Sequence, residues 1–146
     1  NFLIERAKRK VKLKVTPKSA TAFSVWQDGK RSIKTSKDTF SIDGQPDSLV
    51  IEIINFSAFP VSICEVGLRA RRKTNRFSVP RPELLDNGTW PRRLEPRQQV
   101  LVMVDWSNLL DKDGSSRIYT AYAATECGSE ILGTSRALRK LIRAMS

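Results

Sequence analysis

Between Leu49 and Leu68 the chain reads Leu-Val-Ile-Glu-Ile-Ile-Asn-Phe, breaks at Ser-Ala-Phe-Pro, and resumes as Val-Ser-Ile-Cys-Glu-Val-Gly-Leu. Two β-branched, apolar runs around a short break ending in Pro60 are two strands and a turn. A centre of this kind commits the chain to sheets. In the second run Val61 and Ile63 share one parity and Val66 and Leu68 the other. That change of phase predicts a bulge or a change of sheet near Cys64–Glu65.

The flanks repeat the theme. Lys10 to Val15 alternates strictly, with Val11, Leu13 and Val15 inward and the lysines outward, and Pro17 is expected to stop the strand. Gln27-Asp28-Gly29-Lys30 suits a tight hairpin between Phe23–Trp26 and Arg31–Lys34. A short strand is expected at Thr39–Ile42, and longer ones at Gln99–Trp106 and Ile118–Cys127, the last with Tyr119 and Tyr122 on opposite faces. Residues 69–99 differ: Pro80, Pro82, Pro91 and Pro96 interrupt regular structure, so a long connection is predicted, with at most one short strand near Phe77–Val79. At the end the period changes. Leu138, Leu141, Ile142 and Met145 lie on one face of a helix that Thr134 or Ser135 would cap.

The expected fold is therefore all-β: an immunoglobulin-like β-sandwich of about seven to nine antiparallel strands with one C-terminal α-helix. Residues 1–9 form a linker or short helix, 10–133 the sandwich, and 134–146 an amphipathic helix packed on it. The Cys–Trp–Cys framework of antibody domains is missing, and Trp26, Trp90 and Trp106 read as core or rim residues.

Asn55 at a strand end, Pro60-Val61 after a short turn, Val66-Gly67 closing the next strand, and Arg93-Leu94-Glu95-Pro96 before another resemble uncharacterised bacterial immunoglobulin-like sandwich domains. The resemblance covers the middle third to half of the chain. It implies a soluble domain behind an N-terminal membrane helix or linker, and it implies no reaction and no catalytic residues.

Composition narrows the chemistry. Histidine is absent, which removes the commonest general acid/base and zinc ligand. Cys64 and Cys127 are too few for a disulfide scaffold; they are either reduced, partly buried thiols or a bridge between sheets. Asp111-Lys112-Asp113-Gly114 lacks the later acidic ligand of a calcium loop and reads as a turn. No phosphate-binding loop or nucleophile elbow occurs, and no cofactor or metal is expected. Of the two Asn-X-Ser/Thr triplets, Asn55-Phe56-Ser57 sits at a strand end and is expected to be structural.

Charge leaves the remaining candidates. Lys and Arg total 26 against 15 Asp and Glu, a formal net charge of +11 that attracts polyanions. Arg69, Arg71, Arg72, Lys73 and Arg76 form one candidate anion- or partner-binding cluster, with Phe77 and Trp90 as stacking surfaces for single-stranded nucleic acid. Arg136, Arg139, Lys140 and Arg143 form another on the final helix. The expected function is a non-enzymatic interaction or accessory module with a protein partner. The alternatives are a nucleic-acid-binding module, an anionic membrane surface as partner, or a small hydrolase with paired carboxylates. The expected location is the cytoplasm or the cytoplasmic face of a membrane, any anchor lying upstream. Basic residues 6–14 suit that side.

Overall fold

The computed structural model describes residues 10–25, 31–71, 76–109 and 118–145. The expected linker 1–9, Trp26 with the hairpin turn 27–30, Arg72 and Lys73, and the Asp111–Gly114 turn lie outside these residues.

The strands are β1 (Leu13–Val25), β2 (Arg31–Ser36), β3 (Ser48–Asn55), β4 (Val61–Ala70), β5 (Arg76–Ser78), β6 (Glu83–Leu84), β7 (Arg92–Leu94), β8 (Gln99–Val104), β9 (Ile118–Thr125) and β10 (Glu130–Gly133), followed by helix α1 (Arg136–Met145). They form two antiparallel five-stranded sheets, β2-β1-β3-β8-β6 and β10-β9-β4-β5, with β7 beside β4. With β2, β5 and β7 set aside, the seven remaining strands fall in the order A-B-E-D and C-F-G of an immunoglobulin constant-type sandwich. The inner faces share one core: Leu49, Ile51, Ile53, Val100 and Val102 from one sheet, and Ile63, Val66, Leu68, Ala121 and Ala123 from the other.

The two central runs are strands, but they are not partners. β3 belongs to the first sheet and β4 to the second, so the break at Ser57–Pro60 carries the chain across the sandwich. Asn55 makes that crossing. It is fully buried, and its side-chain amide donates to the carbonyls of Phe59 and Leu94, both at 3.0 Å, while its Oδ1 accepts from the Ser57 amide at 2.9 Å. Its backbone donates to the Gln98 carbonyl and accepts from the Arg97 amide. One side chain thereby ties the end of β3, the crossing and the end of β7 together. The expected phase change is also present: pairing with β9 slips between Ile63 and Glu65, leaving Cys64 as the extra residue of a bulge.

Pro17 does not stop β1. It lies opposite Ile51 in an unbroken ladder, and its carbonyl points away from β3 to accept from the Ser135 hydroxyl at 2.6 Å. N–H and C=O of one strand residue point the same way, so the missing donor removes no bond to β3. Thr39–Ile42 is not a strand. The Ser36 hydroxyl accepts from the Asp38 and Thr39 amides, and the Asp47 carboxylate accepts from the Ser41 amide. These local bonds outcompete a ladder, and they seat Phe40 edge-on against Trp106, ring centroids 5.9 Å apart.

Both sides of the sandwich are closed by the chain itself. The proline-rich segment holds three short strands rather than one: β5 in the second sheet, β6 in the first, β7 back in the second. It straps one flank. On the other flank β10, not expected from the sequence, brings Gly133 so close to β1 that an added Cβ would lie 1.6 Å from the Val15 carbonyl oxygen. There α1 seals the gap. Ser135 caps it by accepting from the Leu138 amide, and Leu138 and Leu141 are fully buried with Ile142 beside them. A helix this short is marginal alone, and each of these side chains contributes roughly 1.5–3 kcal/mol by burial. The domain itself therefore occupies the apolar face of α1.

Replacing Asn55 by leucine would strip hydrogen-bond partners from the Ser57 amide and the Phe59 and Leu94 carbonyls. A loss of about 3 kcal/mol is expected, read as a lower urea midpoint with an unchanged slope. A midpoint equal to that of the parent would contradict this account of the crossing.

Candidate functional site

The Arg69–Arg76 cluster sits on the outer face of the second sheet. Beyond the bulge Glu65, Gly67 and Arg69 of β4 point outward, and β9 aligns Ala124, Tyr122 and Thr120 with them. β5 adds Ser78 and Arg76, and β10 adds Glu130 and Leu132. Arg69 Nη1 donates to Glu130 at 2.6 Å, while Arg76 donates to both Glu130 and Glu65. The Arg76 guanidinium also lies over the Tyr122 ring, 5.2 Å from its centroid. Two arginines and two glutamates thus roof a tyrosine. Gly67 lets β5 approach: a Cβ there would meet the Phe77 carbonyl oxygen at 2.3 Å.

This arrangement changes what the cluster can do. Arg69 and Arg76 are committed to carboxylates of the same face, and of the described members Arg71 is the exposed one without such a pair. Phe77 lies opposite Leu68 and, like Trp90, packs on the core. The stacking platform expected from these two aromatics is therefore not present. Glu65 and Glu130 do converge, but on Arg76 at an outer sheet face, where guanidinium donors occupy their oxygens. They do not supply the open pair of carboxylates that glycoside hydrolysis needs.

Tyr122 is fully buried under this roof, and its hydroxyl, close to Ser78 and Glu65, has no hydrogen bond to either. Burial pushes its pKa up to about 12.

The α1 cluster is different in kind. Arg136, Arg139, Lys140 and Arg143 are exposed, and the helix contains no acidic residue. Their spacing places them on the face opposite Leu138 and Leu141. The buried stripe fixes this basic row to the sandwich, so it is presented on a rigid support.

Cys64 and Cys127 are both exposed, free thiols, neither partly buried nor bridged. Cys127 lies in the β9–β10 turn with Thr125 Oγ1 3.0 Å from its sulfur. That hydroxyl, then Ser129, holds its pKa below the ordinary thiol value. Asn55, the first Asn-X-Ser/Thr acceptor, is buried with its amide protons engaged, as a structural role requires. Among the described residues no three His, Cys, Asp or Glu side chains group as a metal site, and no helix is long and apolar enough to cross a membrane.

No sequence pattern marks Phe56 or Arg97. Phe56, in the crossing, is 43% exposed, and the Arg97 guanidinium lies 5.8 Å from its ring centroid. Arg97 holds a left-handed backbone, φ 71°. Residue type does not foretell this, since glycine and asparagine are the usual occupants.

No family model, curated protein or solved structure matches the chain. What the domain does must be read from its own surface.

The Tyr122 phenol carries a pH signature. A pKa raised on folding stabilises the native state fully below the ordinary value of 10 and is lost as pH rises towards 12. An absorbance titration is expected to show one tyrosine ionising only together with alkaline unfolding. Ionisation of both phenols near pH 10 in the folded protein would contradict the burial.

Proposed function

We propose that this domain is a non-enzymatic interaction or accessory module that engages an acidic protein partner through the basic row of α1. One observation carries the reading: Arg136, Arg139 and Lys140 stand exposed on a helix whose other face is consumed by the core. Arginine forks suit carboxylates, and a fixed mount lowers the entropy cost of using them. The outer face of the second sheet has satisfied its own charges and is a weaker candidate.

The proposal includes the likeness to bacterial immunoglobulin-like domains, which the strand order supports, and a setting in the cytoplasm or at the cytoplasmic face of a membrane. Two exposed thiols fit a reducing compartment. The nucleic-acid reading keeps the positive charge but loses its stacking surface, so it stands behind the protein partner.

The test is retention on immobilised poly-glutamate, compared with single-stranded DNA and RNA across a salt series. The wild type is expected to bind poly-glutamate with an affinity that falls as salt rises. Changing Arg136, Arg139 and Lys140 together to glutamate should cut that affinity at least about tenfold, while Arg136→Glu at the helix start improves the dipole interaction by about 0.3–1 kcal/mol. Equal retention of the triple variant would overturn the assignment to α1, and much tighter binding to nucleic acid would favour the second reading.

A further inference from the structure

One end of the sandwich gathers features that neither the core nor the α1 row uses. There the crossing after β3 meets the start of β1 and the turn before β8. The Phe56 amide donates to the Lys12 carbonyl at 2.8 Å, the Ser57 hydroxyl accepts from the Lys12 amide at 2.7 Å, and the Arg97 amide donates to the Asn55 carbonyl at 2.7 Å. These bonds leave the backbone satisfied and present the Phe56 ring outward.

The surface of this end is apolar at its centre and basic around it. Phe56, Ala58, Pro60 and Pro96 are exposed, as are Lys10, Lys12 and Arg97. Among the described residues the acids at this end are Glu95, paired with Arg93 at 3.1 Å, and Glu126, whose backbone amide donates to the Ser62 carbonyl. The balance is positive. Arg97 is the informative residue. Its left-handed backbone is one that glycine adopts without strain, yet its side chain lies over an exposed aromatic ring. Arg97 thus sets a cation over an exposed ring at a surface position where the backbone itself favours glycine.

We propose that this end of the sandwich docks on an anionic lipid surface, with Phe56 entering the headgroup region and Arg97, Lys10 and Lys12 meeting lipid phosphates and carboxylates. A single aromatic ring ringed by arginine and lysine is the chemistry of interfacial insertion, and basic groups beside such a surface add electrostatic attraction to anionic headgroups. Among the described residues the carbonyls of Asn55, Phe59 and Leu94 and the amides of Ser57 and Arg97 are already paired, so none of them is open to an added peptide strand. This surface is separate from the α1 row, so either assignment can fail without the other.

Co-sedimentation of the whole chain with phosphatidylcholine vesicles, with and without phosphatidylserine, tests it. The wild type should bind the phosphatidylserine vesicles and lose binding as salt rises. Phe56→Ser should weaken binding about tenfold, and Arg97→Gly should weaken it severalfold with little change in melting temperature, because relief of the backbone offsets the lost ring contact, which separates docking from folding. Phe56→Trp should retain binding, and lipids brominated near the headgroup should quench its emission beyond that of the native tryptophans. The proposal is overturned if Phe56→Ser binds vesicles as well as the wild type. It is equally overturned if brominated lipid adds no quenching to Phe56→Trp, or if Phe56→Ser loses poly-glutamate binding to the same extent, which would assign this end to a protein.

Discussion

A carboxamide buried among carbonyls is costly unless every donor finds an acceptor. Asn55 meets that condition at the one place where the central strands change sheets. Its bonds set the direction in which the chain leaves β3, and so place β4 opposite rather than alongside it. They also hold the end of β7 and the turn before β8, so the registers of both sheets are coupled at one point. The apolar face of β3 supplies the driving force for collapse. The amide selects, from the ways such strands can stack, the one in which both sheets share an end.

Closure of the two flanks follows from this placement. A two-layer sandwich leaves its sides open, and unpaired edges invite association with other chains. Here the proline-rich segment steps between sheets along one side, and β10 with α1 fills the other. Prolines suit the strap because their short strands have few ladder bonds to lose. Gly133 suits the opposite flank because only a residue without a side chain fits against Val15. Little apolar surface of the helix is left to recruit a partner, and charge becomes the main chemistry offered outside.

The strands β3, β4, β8 and β9, the bulge near Cys64 and the face of α1 were legible because each rests on a local period. What escaped was non-local. Nothing near Ser57–Pro60 distinguishes a hairpin from a crossing; the difference lies in Leu94 accepting from Asn55 across the chain. The outward parity of Arg69 could be read, but not its pairing with Glu130, which is brought alongside only by β9 and β10. Pro17 misled because its effect depends on which way its nitrogen points within the sheet. The short strands β6, β7 and β10 carry no pattern of their own and exist because a neighbour offers an edge. Of the two basic clusters, the one on α1 is exposed as its helical spacing implies, while Arg69 and Arg76 of the one on the sheet are paired with carboxylates distant in sequence.

The coupling of the two sheets through Asn55 is most directly measured by native-state hydrogen exchange at the amides of Asn55, Ser57 and Arg97. If the crossing is the joint of the fold, these amides exchange only through global unfolding, with the same protection and denaturant dependence as the centre of β3. Exchange through a local opening, with low protection independent of denaturant while β3 stays protected, would show that the sheets hold their positions without it.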